Sequence, residues 1–176
     1  MTKTLAAAAI SVLLLTLTAC GGGEGSSDDE AASKAISDSI MKEQESGSGD
    51  VFTMERKEAD CIGDGFVEDI GVDKLQDYGF LSEDLKAEAM TNVTMEPGDA
   101  EAATGVLFEC ADVTEMMSKA MAAGEEVDAA TQKCLEDVLT EDKLRSMFTL
   151  MFSGKQDQAS QEVIAPMMKC AAGSMQ

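Results

Sequence analysis

An all-α fold is predicted by three features of the sequence. Apolar residues recur at spacings of three and four along most of the chain, which is typical of helices that bury one face. Strand signals are sparse, because β-branched runs are few and no Asn-Gly or Asp-Gly pair joins two alternating segments. Capping residues and glycines bracket the periodic segments. We expect a compact, disulfide-bonded multi-helix domain over 51–176.

The segment 33–50 precedes this domain and is predicted to form a short helix and a linker. Ile36, Ile40 and Met41 fall at i, i+4 and i+5, so they form one apolar stripe that should dock on the domain. The sequence SGSGD at 46–50 then ends the pattern.

Caps and glycines bracket the first helices of the domain. We assign Thr53 as the N-cap of a helix that ends at Gly71, and a short helix follows that stops at Gly79. Ser82 is predicted to cap a further helix with the sequence EDLKAEAM. Pro97 suits the first turn of the next one.

The longest periodic segment is predicted to form one helix from about Asp99 to Ala123, with Gly124 just past its end. Further helices are expected around 128–139, 141–153 and 157–172. Pro166 should kink or break the last of them.

The two halves of the domain repeat each other loosely. Each half opens and closes with a cysteine, and each contains the triplet Asp-Lys-Leu, at 73–75 and at 142–144. The triplet follows the opening cysteine at different distances, so a duplication would require a deletion in the second half. The sequence leaves open whether the domain arose as two repeated units.

The cysteines of the domain are predicted to form two structural disulfides. Their number is even and none stands in a C-x-x-C pair, which argues against redox or zinc chemistry. We favour Cys61 with Cys110 and Cys134 with Cys170, because each bond then closes one unit. Pairing Cys110 with Cys134 across a hairpin at Gly124 is less favourable. The two cysteines would then be offset by about 6 Å along the antiparallel helices, which is near the limit that a disulfide spans. The crossed pairing would require interlocked units and ranks last.

The N-terminus has the form of a signal peptide over 1–19. Lys3 is its only charge, and the apolar run from Leu5 to about Leu17 is too short to span a bilayer. The order aliphatic, small, small, Cys at 17–20 resembles the lipobox of bacterial lipoprotein precursors. The resemblance implies cleavage between Ala19 and Cys20 and a diacylglyceryl group on Cys20. The alternative is an ordinary signal peptide, with Cys20 a free thiol.

The rest of the mature chain is similar to small four-cysteine helical lipoproteins of actinobacteria. The similarity lies in EADCIGDGFVEDIGVDKLQDYGFL, FECADV and QKCLEDVL. That group has no assigned activity, so the resemblance concerns architecture and membrane anchoring. Two acyl chains on one cysteine suffice for stable anchoring. Residues 20–32, which include GGGEGSSDDE, are expected to form a flexible acidic tether.

The charge of the chain argues against nucleic acid as a partner. Without Lys3, 12 basic residues remain against 34 acidic ones, a net charge of −22. Such a surface repels nucleic acid and anionic lipid, and it attracts cations or basic partners. No segment has the spacing of an EF-hand loop, so we predict no metal site and no cofactor.

An enzyme is not expected, because the chain contains no histidine and thus no Ser-His-Asp, Cys-His or His-metal arrangement. We assign no catalytic residues. Adjacent carboxylates on a helix point apart and make poor acid–base pairs.

Two functions remain open. The first is a membrane-anchored interaction domain on the extracytoplasmic face, with an envelope protein or polymer as partner. The alternative is a carrier with a cavity between helices for a small or apolar ligand. The candidate lining residues of that cavity are Phe108, Met117, Met121, Phe148 and Phe152. Methionines on apolar helix faces are otherwise typical core residues.

Overall fold

A computed structural model describes residues 27–45, 53–88, 93–122 and 128–173 of the chain. Over these ranges the protein is helical and contains no β-strand, apart from one isolated bridge between Leu81 and Ala87. The predicted all-α class is confirmed. The predicted signal peptide, Cys20 and Gly124 lie outside the described residues.

The helices follow one another with short connections. In chain order they are α1 (Ser27–Glu45), α2 (Arg56–Asp69), α3 (Val72–Asp77), α4 (Pro97–Cys110), α5 (Val113–Ala122), α6 (Ala129–Val138), α7 (Glu141–Phe152), α8 (Gln156–Ala159), a π-helical turn (Ser160–Ile164) and α9 (Ala165–Gly173). Gly71 follows α2 with φ +89° and Pro97 opens α4, as the sequence predicts, and Thr140 precedes α7.

Four helices pack side by side in the order α1, α2, α4, α7. Each neighbouring pair is antiparallel. Ser33 of α1 contacts Asp64 of α2, whereas Asp38 contacts Arg56. Cys61 of α2 is bonded to Cys110 of α4, whereas Gly65 lies against Val106, so these two helices are likewise antiparallel. The hydroxyl groups of Thr104 and Thr149, 3.0 Å apart, mark the crossing of α4 and α7. α6 packs on α9.

The buried apolar side chains fall into two clusters. The first core lies among α1 to α4 and is formed by Ala32, Ile36, Ile62, Phe66, Ile70, Leu75, Phe80, Leu81, Val93, Met95, Ala100, Ala103 and Val106. The second core lies around α7 and the chain after it and is formed by Leu139, Leu144, Met147, Ala159 and Val163. α4 contributes to both, because Val106 is in the first core and Phe108 packs against the second.

Each unit is closed by one disulfide, in the pairing that the sequence favours. Cys61 is bonded to Cys110 and Cys134 to Cys170, with Cα–Cα distances of 5.5 and 5.6 Å. These distances are typical of disulfides. The first bond ties α2 to α4, and the second ties α6 to α9. A duplication of the two units stays a prediction.

α1 is longer than predicted. It begins at Ser27, so the helix includes residues that were assigned to the tether over 20–32, and it ends at Glu45. Three carboxylates, from Asp28 to Glu30, lie in its first turn, where they interact favourably with the helix dipole. The predicted docking of this helix is confirmed, since Ile36 is buried in the first core.

The predicted single helix from Asp99 to Ala123 is wrong: α4 and α5 are separate helices. α4 ends at Cys110, Ala111 is extended with φ −139° and ψ 146°, and Asp112 immediately precedes α5. The Asp112 carboxylate accepts a hydrogen bond from the backbone N–H of Glu115 at 2.8 Å, which is the geometry of an N-cap. The spacing of Asp112 and Glu115 is a capping signal that interrupts an otherwise continuous apolar stripe.

Two other predicted caps are also wrong. α2 is preceded by Glu55 instead of Thr53, and the Glu55 N–H donates to the Glu58 carboxylate at 2.6 Å. The residues after Ser82 form a turn instead of a helix. There the Ser82 N–H donates to the carbonyl of Lys86 at 2.8 Å, and Leu85 has φ +56°.

The last helical segment is interrupted before Pro166, as predicted. The Ala165 N–H donates to the Ser160 carbonyl, five residues back, so the chain is π-helical over 160–164. Proline lacks the N–H that an α-helix would require at this position. A π-turn therefore separates α8 from α9.

A small polar cluster fixes the start of α4 against α3. The Asp99 carboxylate accepts hydrogen bonds from the Tyr78 hydroxyl at 2.6 Å and from Lys74 Nζ at 2.8 Å, and its side chain is 13% exposed. The bonds from Lys74 and then Tyr78 hold the pKa of Asp99 below its usual value. The charged form of Asp99 thus stabilises the fold.

We predict that Asp99→Asn lowers the free energy of unfolding by about 1 kcal/mol at pH 7, because the ion pair with Lys74 is lost. A lowered pKa in the folded state means that this stabilisation is present above the usual carboxyl pKa. It is lost as the pH falls through the pKa of folded Asp99. The difference between wild type and variant in urea unfolding should therefore shrink below about pH 4.

Asp157→Asn, on the exposed surface of α8, serves as the matched control. A difference between Asp99→Asn and wild type that stays constant from pH 7 to pH 3 would contradict a stabilising role for the ionised carboxylate.

Candidate functional site

The five predicted cavity residues fall on α4, α5 and α7. Phe108 is on α4, Met117 is on α5, and Phe148 and Phe152 are on α7. Phe108, Met117 and Phe148 pack against the second core, and Phe152 packs against the first. Met121 belongs to α5, but its side chain lies outside the described part.

The phenylalanine rings contact one another. The centroids of Phe108 and Phe148 are 6.0 Å apart with an edge-to-face geometry, and those of Phe148 and Phe152 are 6.5 Å apart. Phe152 in turn meets Phe66 at 6.4 Å, and Phe66 meets Phe80 at 5.7 Å. We call these five residues the aromatic row. It runs from the first core to the second through the contact of α4 with α7.

The outer end of the aromatic row is covered by a charge. The guanidinium carbon of Arg145 lies 4.4 Å from the centroid of the Phe108 ring, within the range of a cation–π interaction. Arg145 Nε also donates to the Glu141 carboxylate at 2.8 Å. The face of Phe108 is therefore occupied by a side chain of the protein itself.

A surface groove borders the aromatic row at the elbow between α4 and α5. Its volume is about 300 Å³, and it is lined by Phe108, Glu109, Cys110, Ala111, Asp112, Val113, Thr114 and Glu141. The lining is mostly polar. Phe108 lines this groove, whereas Met117, Phe148 and Phe152 do not. The groove thus resembles a polar surface feature more than the concave apolar site that small ligands prefer.

A larger groove of about 770 Å³ follows the seam between α1 and α2. It is lined by Ser27, Glu30, Ala31, Ser33, Lys34, Ser37, Arg56, Asp60 and Asp64. We call it the α1–α2 groove.

Charged side chains bridge the two helices beside this groove. Arg56 donates from Nη1 to Asp38 at 2.6 Å and from Nε to Asp60 at 2.9 Å. Hydrogen bonds from Lys34 and Arg56 lower the pKa of Asp38. These side chains are about half exposed, so each ion pair contributes little to stability.

The backbones of α1 and α2 approach each other closely at Ser33 and Ser37, which also line the α1–α2 groove. A Cβ atom added to Gly63 of α2 would lie 2.4 Å from the Ser33 carbonyl oxygen and 2.6 Å from Ser37 Oγ. Ser37 Oγ lies 3.0 Å from the Ser33 carbonyl oxygen and 3.1 Å from that of Ala59, so the one hydrogen of this buried hydroxyl has an acceptor. Ser33 Oγ donates to the Asp64 carboxylate. Only a glycine at position 63 lets α1 pack this closely.

This close approach was not predicted, although the sequence contains its signal. Ser33 and Ser37 are four residues apart, as are Ala59 and Gly63, so each pair lies on one face of its helix. Small residues at this spacing allow two helices to approach closely.

Metal-ligating side chains do not assemble in the described ranges. No cluster of three or more His, Cys, Asp or Glu side chains there could hold a metal ion. Every buried side-chain nitrogen or oxygen of those ranges has a hydrogen-bond partner.

Comparison with protein-family models, curated proteins and solved structures finds no significant match. No helix of the described residues is long and apolar enough to cross a membrane.

We predict that Phe148→Ala lowers the free energy of unfolding by about 2–4 kcal/mol, since it removes the ring that contacts both Phe108 and Phe152. Urea unfolding with the disulfides intact measures the effect. Phe148→Leu is the matched control, because it keeps most of the side-chain volume and should cost less than half as much. A loss below 1 kcal/mol for the alanine variant would show that the aromatic row is peripheral to stability.

Proposed function

We propose that the chain is a lipoprotein anchored at the extracytoplasmic face of the cell membrane, and that its helical domain binds a partner in the envelope. The observation that carries the proposal is the sequence Leu17-Thr18-Ala19-Cys20 directly behind a short apolar segment. That order resembles a lipobox, so the lipid on Cys20 would be the anchor.

The two disulfides support an extracytoplasmic location. Disulfides persist in oxidising compartments and are rare where thioredoxin and glutathione keep thiols reduced. Here both cross-links join helices that pack together, Cys61 with Cys110 and Cys134 with Cys170. All four cysteines of the domain are thereby used in structural bonds.

A short tether supports a role close to the membrane surface. From Cys20 to Ser27, where α1 begins, there are seven residues, which span at most about 25 Å when extended. With a net charge of −22, the mature chain would be repelled by anionic lipid and attracted to cationic groups. A basic segment of an envelope protein or a cationic polymer is the partner chemistry that this charge favours.

The arrangement of the aromatic row favours an interaction domain over a carrier. Phe108, Phe148 and Phe152 contact one another, and Arg145 covers the outer ring. A carrier would require these rings to part around its ligand. An interaction surface requires no such rearrangement.

We predict that Cys20→Ala abolishes membrane attachment. The wild-type protein from the membrane fraction should have the mass of the chain from Cys20 plus a diacylglyceryl group. The alanine variant should be unprocessed or released. Cell fractionation and intact-mass measurement test both expectations.

Thr16→Ala, outside the four-residue motif, is the control and should be processed like wild type. A membrane-bound wild type without added lipid would overturn the proposed anchor. A small apolar molecule that stays bound under native conditions would favour the carrier.

A further inference from the structure

α1 connects the proposed anchor to the rest of the protein, and neither disulfide holds it. The cross-linked part of the chain begins at Cys61, in the second helix. α1 packs on α2 and, to a smaller extent, on α3. It can therefore leave its position without the breaking of a covalent bond.

The interface of α1 buries few large apolar side chains. Ala32 and Ile36 are buried, Ala35 and Ile40 are partly buried against the first core, and α1 also buries the hydroxyl groups of Ser33 and Ser37. Apolar area removed from water is the main source of helix docking energy. The close fit at Gly63 thus depends on shape and on polar contacts, with one large aliphatic side chain fully buried.

The two helices of this interface carry charge of the same sign. α1 has six carboxylates and two lysines, a net charge of −4. α2 has five carboxylates, one arginine and one lysine, a net charge of −3. The bridge from Arg56 to Asp38 offsets this locally, but the overall repulsion grows as salt is removed.

We propose that α1 is a releasable part of the tether, whose docking on α2 sets how far the domain can reach from the membrane. This distance from the membrane has a meaning only if Cys20 carries the proposed lipid anchor. With α1 docked, the seven residues from Cys20 to Ser27 allow about 25 Å. With α1 released and extended, the 36 residues from Cys20 to Arg56 allow about 120 Å. A partner that pulls on the domain, or low ionic strength, favours the released state.

Release of α1 would also uncover the face of α2 around Ala59 and Gly63. Ala59 is fully buried, and its carbonyl oxygen lies 3.1 Å from Ser37 Oγ of α1. This is the face to which α1 returns. The release of α1 is thus reversible, because the disulfide Cys61–Cys110 holds α2 against α4 while α1 is undocked.

Hydrogen exchange of the mature, full-length protein tests the release directly. Amides of α1 over 32–42 should exchange at least about tenfold faster than those of α2 over 59–67. The α1 amides should exchange more slowly in 150 mM than in 10 mM NaCl, because salt screens the repulsion between the helices. Equal protection of α1 and α2, or faster α1 exchange at higher salt, would overturn the proposal.

Two glycine-to-alanine variants distinguish an effect on the docking of α1 from a general effect of alanine on helix stability. Gly63→Ala places a Cβ against the backbone of α1 and should accelerate α1 exchange at least about tenfold, with α4 and α7 unchanged. Gly105→Ala is the control, since its Cβ would meet nothing within 4 Å. If Gly63→Ala disturbs the whole fold, Ile36→Ala removes the largest α1 contact from the other side. The proposal fails if α1 exchange responds to neither Gly63→Ala nor Ile36→Ala.

Neutron reflectometry on a supported phosphatidylethanolamine–phosphatidylglycerol bilayer measures the reach. The layer of the lipidated Gly63→Ala variant should extend further from the bilayer than the layers of wild type and Gly105→Ala. Equal extension of all three layers would overturn the link between α1 docking and reach. A wild-type protein that forms no layer would contradict the anchor, while the exchange result would still decide whether α1 is released.

Discussion

The packing of α4 between α2 and α7 is the constraint on which the rest of the structure depends. On one side, Cys110 is bonded to Cys61 and Val106 fits over Gly65, where a Cβ would come within 2.6 Å of the valine. On the other side, the Thr104 hydroxyl meets Thr149 in α7. Each disulfide lies within one unit, so the relative position of the two units depends on non-covalent contacts. These are the α4–α7 contact and the contacts of Phe152, which packs against the first core and whose carbonyl accepts a hydrogen bond from the Met95 N–H at 2.7 Å.

The aromatic row connects the two cores of the protein. Phe148 contacts Phe108 and Phe152, which pack against different cores, so one side chain connects both halves of the protein. The partly buried residues around these rings include Met54 at the first core and Met167 at the second. Methionine is unbranched and flexible, so it can fill irregular gaps at the edge of each core.

Much of this fold could be predicted from the sequence, because local signals determine it. Apolar periodicity and glycines located most of the helices, and spacing arguments gave the disulfide pairing. The end of α4 and the start of α5 were not predicted, because the apolar stripe continues through both helices. The signal of the break is one side-chain cap, Asp112. Likewise, the seam at Gly63 depends on the backbone of a helix about 30 residues earlier in the chain, so spacing along one segment could not show it. Whether the aromatic residues line a cavity or fill it depends on tertiary packing, which periodicity does not report.

The central claim is that the α4–α7 contact couples the two units into one cooperative fold. Tyr78, the one tyrosine of the chain, lies in the first unit, and Leu144 is fully buried in the second core. In urea unfolding followed by Tyr78 fluorescence, Leu144→Ala should lower the midpoint by about 1 M or more, since the lost packing costs about 2–5 kcal/mol and is shared by both units. A Tyr78 midpoint that stays at the wild-type value, with the disulfides intact, would show that the two units unfold independently and would contradict this account.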